Sequence, residues 1–233
     1  MSFRAARFVR FMAADRQVGW VSPELAARLR AWPAVFTSSP DKVALLDARE
    51  LDSVVQALAK EGFIPGWRDE RYRIEDLFEI ERAAARPFGL TTRAVHVNGI
   101  AADGRMWLAR RSATKAIDPG LLDNLVGGGV AAGLTAEQTL VKEAWEEAGI
   151  PAELARTAKR GGTVKVLREV PEGVQSEVID VYTLALPAGF APRNQDGEVA
   201  EFRLLPLEEV RACGEMTHES KQVALEYLRS SGR

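Results

Sequence analysis

Residues 125–150 read LVGGGVAAGLTAEQTLVKEAWEEAGI, and the interpretation of the whole chain turns on them. Three consecutive glycines, Gly127, Gly128 and Gly129, followed by Gly133, predict a loop whose backbone turns sharply and comes close to a ligand. Thr135, three residues before Gln138, forms a capping box in which each side chain satisfies a backbone N–H at a helix start. That helix runs to Gly149, a C-terminal cap, with Pro151 just beyond. On it, Glu143, Glu146 and Glu147 stand at spacings of three and four, so the three carboxylates share one face. Val141, Trp145 and Ala148 take the opposite face and are expected to pack on a sheet. Like charges at such spacings cost about 0.2–0.5 kcal/mol per pair, and acids in the last turn also oppose the helix dipole. Most charge runs are solvated helix faces. Here the glycines, the caps and the apolar reverse face point instead to carboxylates gathered for a cation.

The remainder of the composition restricts which cation. The chain has 233 residues, 46% apolar and 27% charged, which is the make-up of a globular protein and not of a disordered one. With 31 basic and 33 acidic residues the formal charge is −2, so no bulk attraction draws it to a nucleic-acid polymer or an anionic membrane. Cys213 stands alone, and His96 and His218 are the only histidines, so neither an internal disulfide nor a Cys/His zinc site can form. A metal must therefore be held by oxygen, which favours Mg²⁺, Mn²⁺ or Ca²⁺. Arg4, Arg7 and Arg10 break up the apolar residues of positions 1–19, unlike a signal peptide, and the expected location is the cytoplasm.

Outward from the central stretch, the pattern divides the chain near residue 90. Ser22-Pro23 starts a helix that runs to about Trp32. Leu51, Val54, Val55, Leu58 and Ala59 recur at helical spacing, with Gly62 closing that helix. Beyond Leu90 strands dominate: residues 91–101, then the Asp103-Gly104 turn into 105–111. Residues 163–169 and 177–186 flank a turn at Pro171-Glu172-Gly173, and 202–205 are a further strand. Residues 207–211 and 219–229 read as helices. Helices among antiparallel hairpins make residues 91–233 an α+β domain with a mixed sheet, and 1–90 a small α/β accessory domain for substrate recognition or dimerisation.

The central stretch resembles the Nudix box: glycine, five residues, glutamate, seven residues, then Arg-Glu-apolar-x-Glu-Glu-x-Gly-apolar. Gly128 matches the first glycine, Lys142-Glu143-Ala144 the Arg-Glu-apolar run, and Glu146-Glu147-Ala148-Gly149-Ile150 the remainder. Leu134 replaces the early glutamate and Lys142 the arginine, which keeps a positive charge without the bidentate fork. Val18-Gly19-Trp20, Gly66-Trp67-Arg68-Asp69-Glu70, Val95-His96-Val97-Asn98-Gly99 and the residues from Arg110 to Asn124 extend the likeness to the Nudix group related to thiamin pyrophosphokinase. That resemblance implies an α/β/α sandwich and hydrolysis of diphosphates of thiamin or of analogues such as oxythiamin and oxothiamin. It also implies Mg²⁺, with Mn²⁺ as a substitute, held by Glu143, Glu146, Glu147 and the Gly127 carbonyl.

Phosphoanhydride cleavage relies on positioning and charge neutralisation, so the remaining site residues should be acids and cations. Glu177, Glu198 and Glu201 are candidates for a general base, alongside the box glutamates. Lys115 is the preferred phosphate contact; Arg110 and Arg111 alternate across a strand, so one of them at most reaches the ligand. Asn124 shapes the turn or touches substrate, and Trp67 can stack on a cationic ring or pack between domains. His96 reads as a core residue and His218 as lying near a helix start. The expected partner is a small-molecule diphosphate, with a homodimer allowed by the resemblance. Nucleoside diphosphate derivatives such as 8-oxo-dGTP or ADP-ribose, isoprenoid diphosphate isomerisation, and a catalytically weak diphosphate sensor are the competing readings.

Overall fold

The computed structural model describes residues 3–115 and 117–232. They form two compact units. The first holds the described residues through Thr92, together with Ala131–Gly133 and Lys165–Val178; the second holds Arg93–Val130, Leu134–Val164 and the described residues from Ile179 onward.

In the first unit, β1 (Val9–Ala13), β2 (Arg16–Val21), β3 (Phe36–Ser38) and β4 (Lys42–Leu45) form a sheet of order β2-β1-β4-β3. β1 and β4 run parallel, whereas β1–β2 and β3–β4 are antiparallel. α1 (Pro23–Leu29) is capped as its sequence predicts, with Ser22 Oγ accepting from the Leu25 amide, but regular helix stops three residues short of Trp32. α2 (Leu51–Lys60) buries Leu51, Val54, Val55 and Leu58 against Phe11, Val18 and Val43. Gly62 closes it at φ +86°. A hairpin of β5 (Arg71–Ile74) and β6 (Phe78–Glu81) completes the unit. The segment Ala131–Gly133 is held on that hairpin, since the Ala132 amide donates to the Arg71 carbonyl at 2.8 Å.

The second unit holds most of β7 (Thr91–Ile100), all of β8 (Met106–Arg111), β9 (Leu122–Asn124), β10 (Val126–Gly129) and β13 (Val199–Leu205), the first part of β11 (Lys159–Val170) and the last part of β12 (Gly173–Ala185), whose residues 165–178 count with the first unit. Their order is β11-β12-β7-β8-β13, with β10 on β7 and β9 on β8. β7 is near-continuously buried because both of its faces are covered. Val95 and Val97 join Leu140, Ala144 and Ala148 of α3 (Ala136–Ala148) in one core. The alternate residues His96 and Asn98 face the other way, where Asn98 Nδ2 donates to the Val223 carbonyl of α6 (His218–Ser230). A second core of Met106, Leu108, Leu122, Val210 and Ala224 seats α5 (Leu207–Ala212) and α6. The short α4 (Ala152–Ala155) follows α3. The result is a mixed α+β fold with helices on both faces of the sheet.

Two expectations fail here. Gly127, Gly128 and Gly129 are not a loop: they form β10, paired with His96, Val95 and Ala94 of β7. Trp145 does not pack on the sheet but is 53% exposed, and the buried stripe of α3 is Leu140, Ala144, Glu147 and Ala148.

Candidate metal and diphosphate site

α3 is set in place by local chemistry at both ends. Thr135 Oγ1 accepts from the Gln138 amide at 3.1 Å, and Gln138 Oε1 accepts from the Thr135 amide at 2.8 Å. At the other end Gly149 adopts φ +63°, and its amide donates to the Trp145 carbonyl while that of Ile150 donates to Ala144. The helix thereby lies along β10, and the glycines exist for that approach. A β-carbon on Gly128 would stand 2.5 Å from both Cγ and Cδ of Glu143, and one on Gly127 would stand 3.1–3.3 Å from three atoms of the His96 ring.

The three box carboxylates have different surroundings. Glu147 is buried, and its Oε2 accepts from the Gly127 amide at 2.8 Å. Burial, then the nearby Asp123 and Glu143 carboxylates, push its pKa well above the usual range, against the Gly127 amide and Lys115. A cation is what such a carboxylate lacks. Glu143 lies over Gly128, and Glu146 is partly exposed. Lys142 Nζ donates to Glu143 Oε1 at 3.1 Å and to Glu146 Oε2 at 2.7 Å. Partial burial works against its charge, but the two glutamates outweigh this and hold its pKa above the ordinary lysine value. Among the described residues no three ligating groups converge on one point as they stand; Lys142 bridges Glu143 and Glu146, and Glu147 is turned to β10. The donor set still suits a hard divalent cation: carboxylates without thiolate or imidazole, one of them buried and short of positive charge. Leu134, at the position of the absent glutamate, is 37% exposed.

The other residues singled out in the sequence fall into several environments. Lys115 is ion-paired with Glu198, and its charge acts on Glu147, where it opposes the rise in pKa. Arg110 is bound to Glu201 at 2.7 Å and Glu215 at 3.2 Å, and the Arg110 bond, then Arg203, hold Glu201 below the usual carboxylate range. Arg111 turns to the other face and pairs with Asp123 at 2.9 Å. Glu177, which accepts from Gln175 Nε2 at 3.3 Å, and Trp67, whose indole N–H donates to Asp69 at 2.7 Å, both belong to the first unit. Asn124 corrects the sequence reading: it is 1% exposed and its amide is spent internally, so it cannot touch substrate. The Oδ1 of Asn124 accepts from His96 Nδ1 at 2.7 Å, while its Nδ2 donates to Asn98 Oδ1 at 3.0 Å and the Ser220 carbonyl at 3.4 Å. Asp123 beside it is partly buried. Burial alone raises its pKa, but His96, Arg111 and Ser220 together overcome that and hold it low. This polar chain was not read from the sequence. The only signal was the run of polar residues Asp123 and Asn124 entering a strand, and a turn explained it equally well.

A carboxylate helix lying on a glycine strand that pairs with β7, in a mixed sheet covered by helices on both faces, is the arrangement that the box motif leads one to expect. The chain belongs to the Nudix family: the family model described as the NUDIX domain matches residues 90–227. A second model, "Domain of unknown function (DUF4743)", matches residues 1–92. Two Arabidopsis thaliana proteins are similar to this chain. "Nudix hydrolase 20, chloroplastic" is 35% identical, over 90% of this chain and 63% of its own length. "Nudix hydrolase 24, chloroplastic" is 38% identical, over 89% of this chain and 62% of its own. The chain thus spans somewhat under two thirds of either relative. Among solved structures, the MutT protein from Methanosarcina mazei Go1 shares the fold, with TM-score 0.50 and 19% identity, covering 61% of this chain and 96% of that one. Nudix hydrolases act on diphosphate-containing substrates and generally need a divalent metal.

Proposed function

We propose that this protein is a Mg²⁺-dependent hydrolase of small diphosphates, and that diphosphates of thiamin analogues such as oxythiamin or oxothiamin are its substrates, released as the monophosphate plus phosphate. The observation that carries the hydrolase reading is Glu147, a buried carboxylate fixed by the Gly127 amide and surrounded by further negative charge. Glu143, Glu146, Glu147 and the Gly127 carbonyl would hold the cation, with Lys142 swinging aside from the two carboxylates it now bridges. A bound divalent cation supplies Lewis-acid neutralisation of the diphosphate charge. Of the three acids outside the box, Glu198 is our choice for the base, because it is paired with Lys115, whose charge acts on Glu147. Lys115, once exchanged from Glu198 to substrate, orients a phosphate. The thiamin-analogue assignment rests on the motifs outside the box, from Val18-Gly19-Trp20 to the residues around Asn124.

The test is phosphate release with Mg²⁺ from oxythiamin diphosphate, thiamin diphosphate, 8-oxo-dGTP and ADP-ribose. Highest kcat/KM for the oxythiamin compound is expected. Preference for either nucleotide replaces the substrate assignment and keeps the chemistry, whereas binding without any turnover supports the sensor.

A further inference from the structure

The buried polar chain beneath β10 has no part in the function proposed so far. It begins at the backbone of α6, where Asn98 Nδ2 donates to the Val223 carbonyl and Asn124 Nδ2 to the Ser220 carbonyl. Asn98 and Asn124 are joined at 3.0 Å, and Asn124 is joined to His96 at 2.7 Å. The amide nitrogen of Asn124 is spent on Asn98 and Ser220, so its oxygen faces the imidazole and the Nδ1 atom of His96 carries the proton. This bond fixes the ring in rotation and in place. The fixed ring lies where a side chain of residue 127 would stand, 3.1–3.3 Å from the β-carbon position, and His96 is also the register partner of Gly127 in the β7–β10 ladder. Gly127 in turn donates its amide to Glu147.

We propose that His96 is a positioning residue of the metal site: braced by Asn124 and Asn98, it sets the depth of Gly127 and through it the placement of the Glu147 carboxylate. This rests on the reading of the box as the metal site. The sheet is the lever. A hydrophobic ring of similar size would fill the space but lose the Asn124 bond, leaving two buried amide groups to reorganise next to the ladder. A smaller residue would keep the ladder and let Gly127 sink. Both changes move a ligand without touching the cation, and outer-shell changes of this type weaken metal affinity roughly 10–100-fold.

The experiment measures Mn²⁺ binding to the full chain by electron paramagnetic resonance, with no substrate present, alongside the melting temperature. His96→Ala, His96→Phe and Asn124→Ala are expected to weaken Mn²⁺ at least tenfold, while His96→Asn, which can still donate to Asn124, recovers part of the loss. Val210→Ala, in the separate core under α5, serves as a stability control that lowers the melting temperature and leaves Mn²⁺ affinity unchanged. Wild-type affinity in folded His96→Phe and Asn124→Ala would overturn the proposal, as would an equal loss in Val210→Ala. Glu147→Gln separates the two readings: if it loses Mn²⁺ while the His96 and Asn124 variants keep it, only the positioning role fails; if it keeps Mn²⁺, the box reading itself fails.

Discussion

Replacing Gly128 by alanine tests the idea that β10 is glycine-rich for closeness and not for flexibility. The new β-carbon would stand 2.5 Å from Glu143 Cγ and Cδ and 2.9 Å from its Oε1. Carbon atoms pack at about 3.5–4.0 Å, so the side chain must retreat by roughly 1 Å. Glu143 can do this, since it is a rotatable side chain at the edge of the core and not backbone. The stability cost therefore falls at the low end of overpacking, about 1 kcal/mol, or roughly 2–4 °C in melting temperature for a domain of this size. Function has no such slack. A displacement of about 1 Å at a group that holds a reacting centre lowers turnover on the order of 100-fold, equivalent to about 2.7 kcal/mol of barrier. Gly133→Ala is the matched comparison. It has open space around its β-carbon but a backbone φ of +84°, so its penalty is conformational strain of about 1–2 kcal/mol with no contact to a glutamate. Circular dichroism melts and phosphate release from oxythiamin diphosphate with Mg²⁺ should show similar losses of stability and very different losses of kcat. Full turnover in Gly128→Ala, or an equal fall of kcat in both variants, would refute the reasoning.

The pKa of Glu147 is raised by folding, so in EDTA the ionised form is the disfavoured one; the contribution of this group to stability is fully present below the ordinary glutamate pKa of 4.5 and is lost as pH rises through the elevated value. Glu147→Gln, which keeps an oxygen for the Gly127 amide, should flatten that fall, and parallel urea-denaturation curves from pH 4 upward would contradict this. Asp180 is buried and accepts from Arg93 at 2.9 Å and Arg160 at 2.6 Å, both more than half exposed. Because those guanidinium groups can return to water, Asp180→Ala should cost about 1–2 kcal/mol, short of the 3–5 kcal/mol of a fully buried pair; urea titration measures it. Trp145→Gln should change stability by less than about 0.5 kcal/mol, as for other exposed sites, and a loss of several kcal/mol would show that the indole is packed. EDTA should abolish phosphate release and added Mg²⁺ or Mn²⁺ restore it.

What could be read from the sequence was local in origin. The capping box at Thr135 and Gln138, the left-handed cap at Gly149 and the Ser22 cap involve groups within six residues of one another, so their spacing contains the whole interaction. The grouping of the box acids on one helix is legible for the same reason. The misreadings all depend on partners far along the chain. Glycine is a poor strand former by propensity, and three in succession argue for a loop. That preference is overridden because β7 offers a ladder, and because the His96 ring crowds the β-carbon position of Gly127 and the Glu143 side chain that of Gly128. Dividing the helix into two faces puts Trp145 opposite the acids. The real contact is a narrow stripe of Leu140, Ala144 and Ala148, four residues apart, and Trp145 lies one step off it. The same stripe carries Glu147 inward, so a residue that looks like part of a solvated acidic face becomes the buried one. Asn124 completes the pattern, because the polar residue that suggested substrate contact is consumed by His96, Asn98 and Ser220, from β7 and α6. The glycines of β10 and the amide of Asn124 are each explained by what stands against them, and the deciding neighbour lies on another element, from fifteen residues away for Gly128 to more than twenty for Gly127 and Asn124.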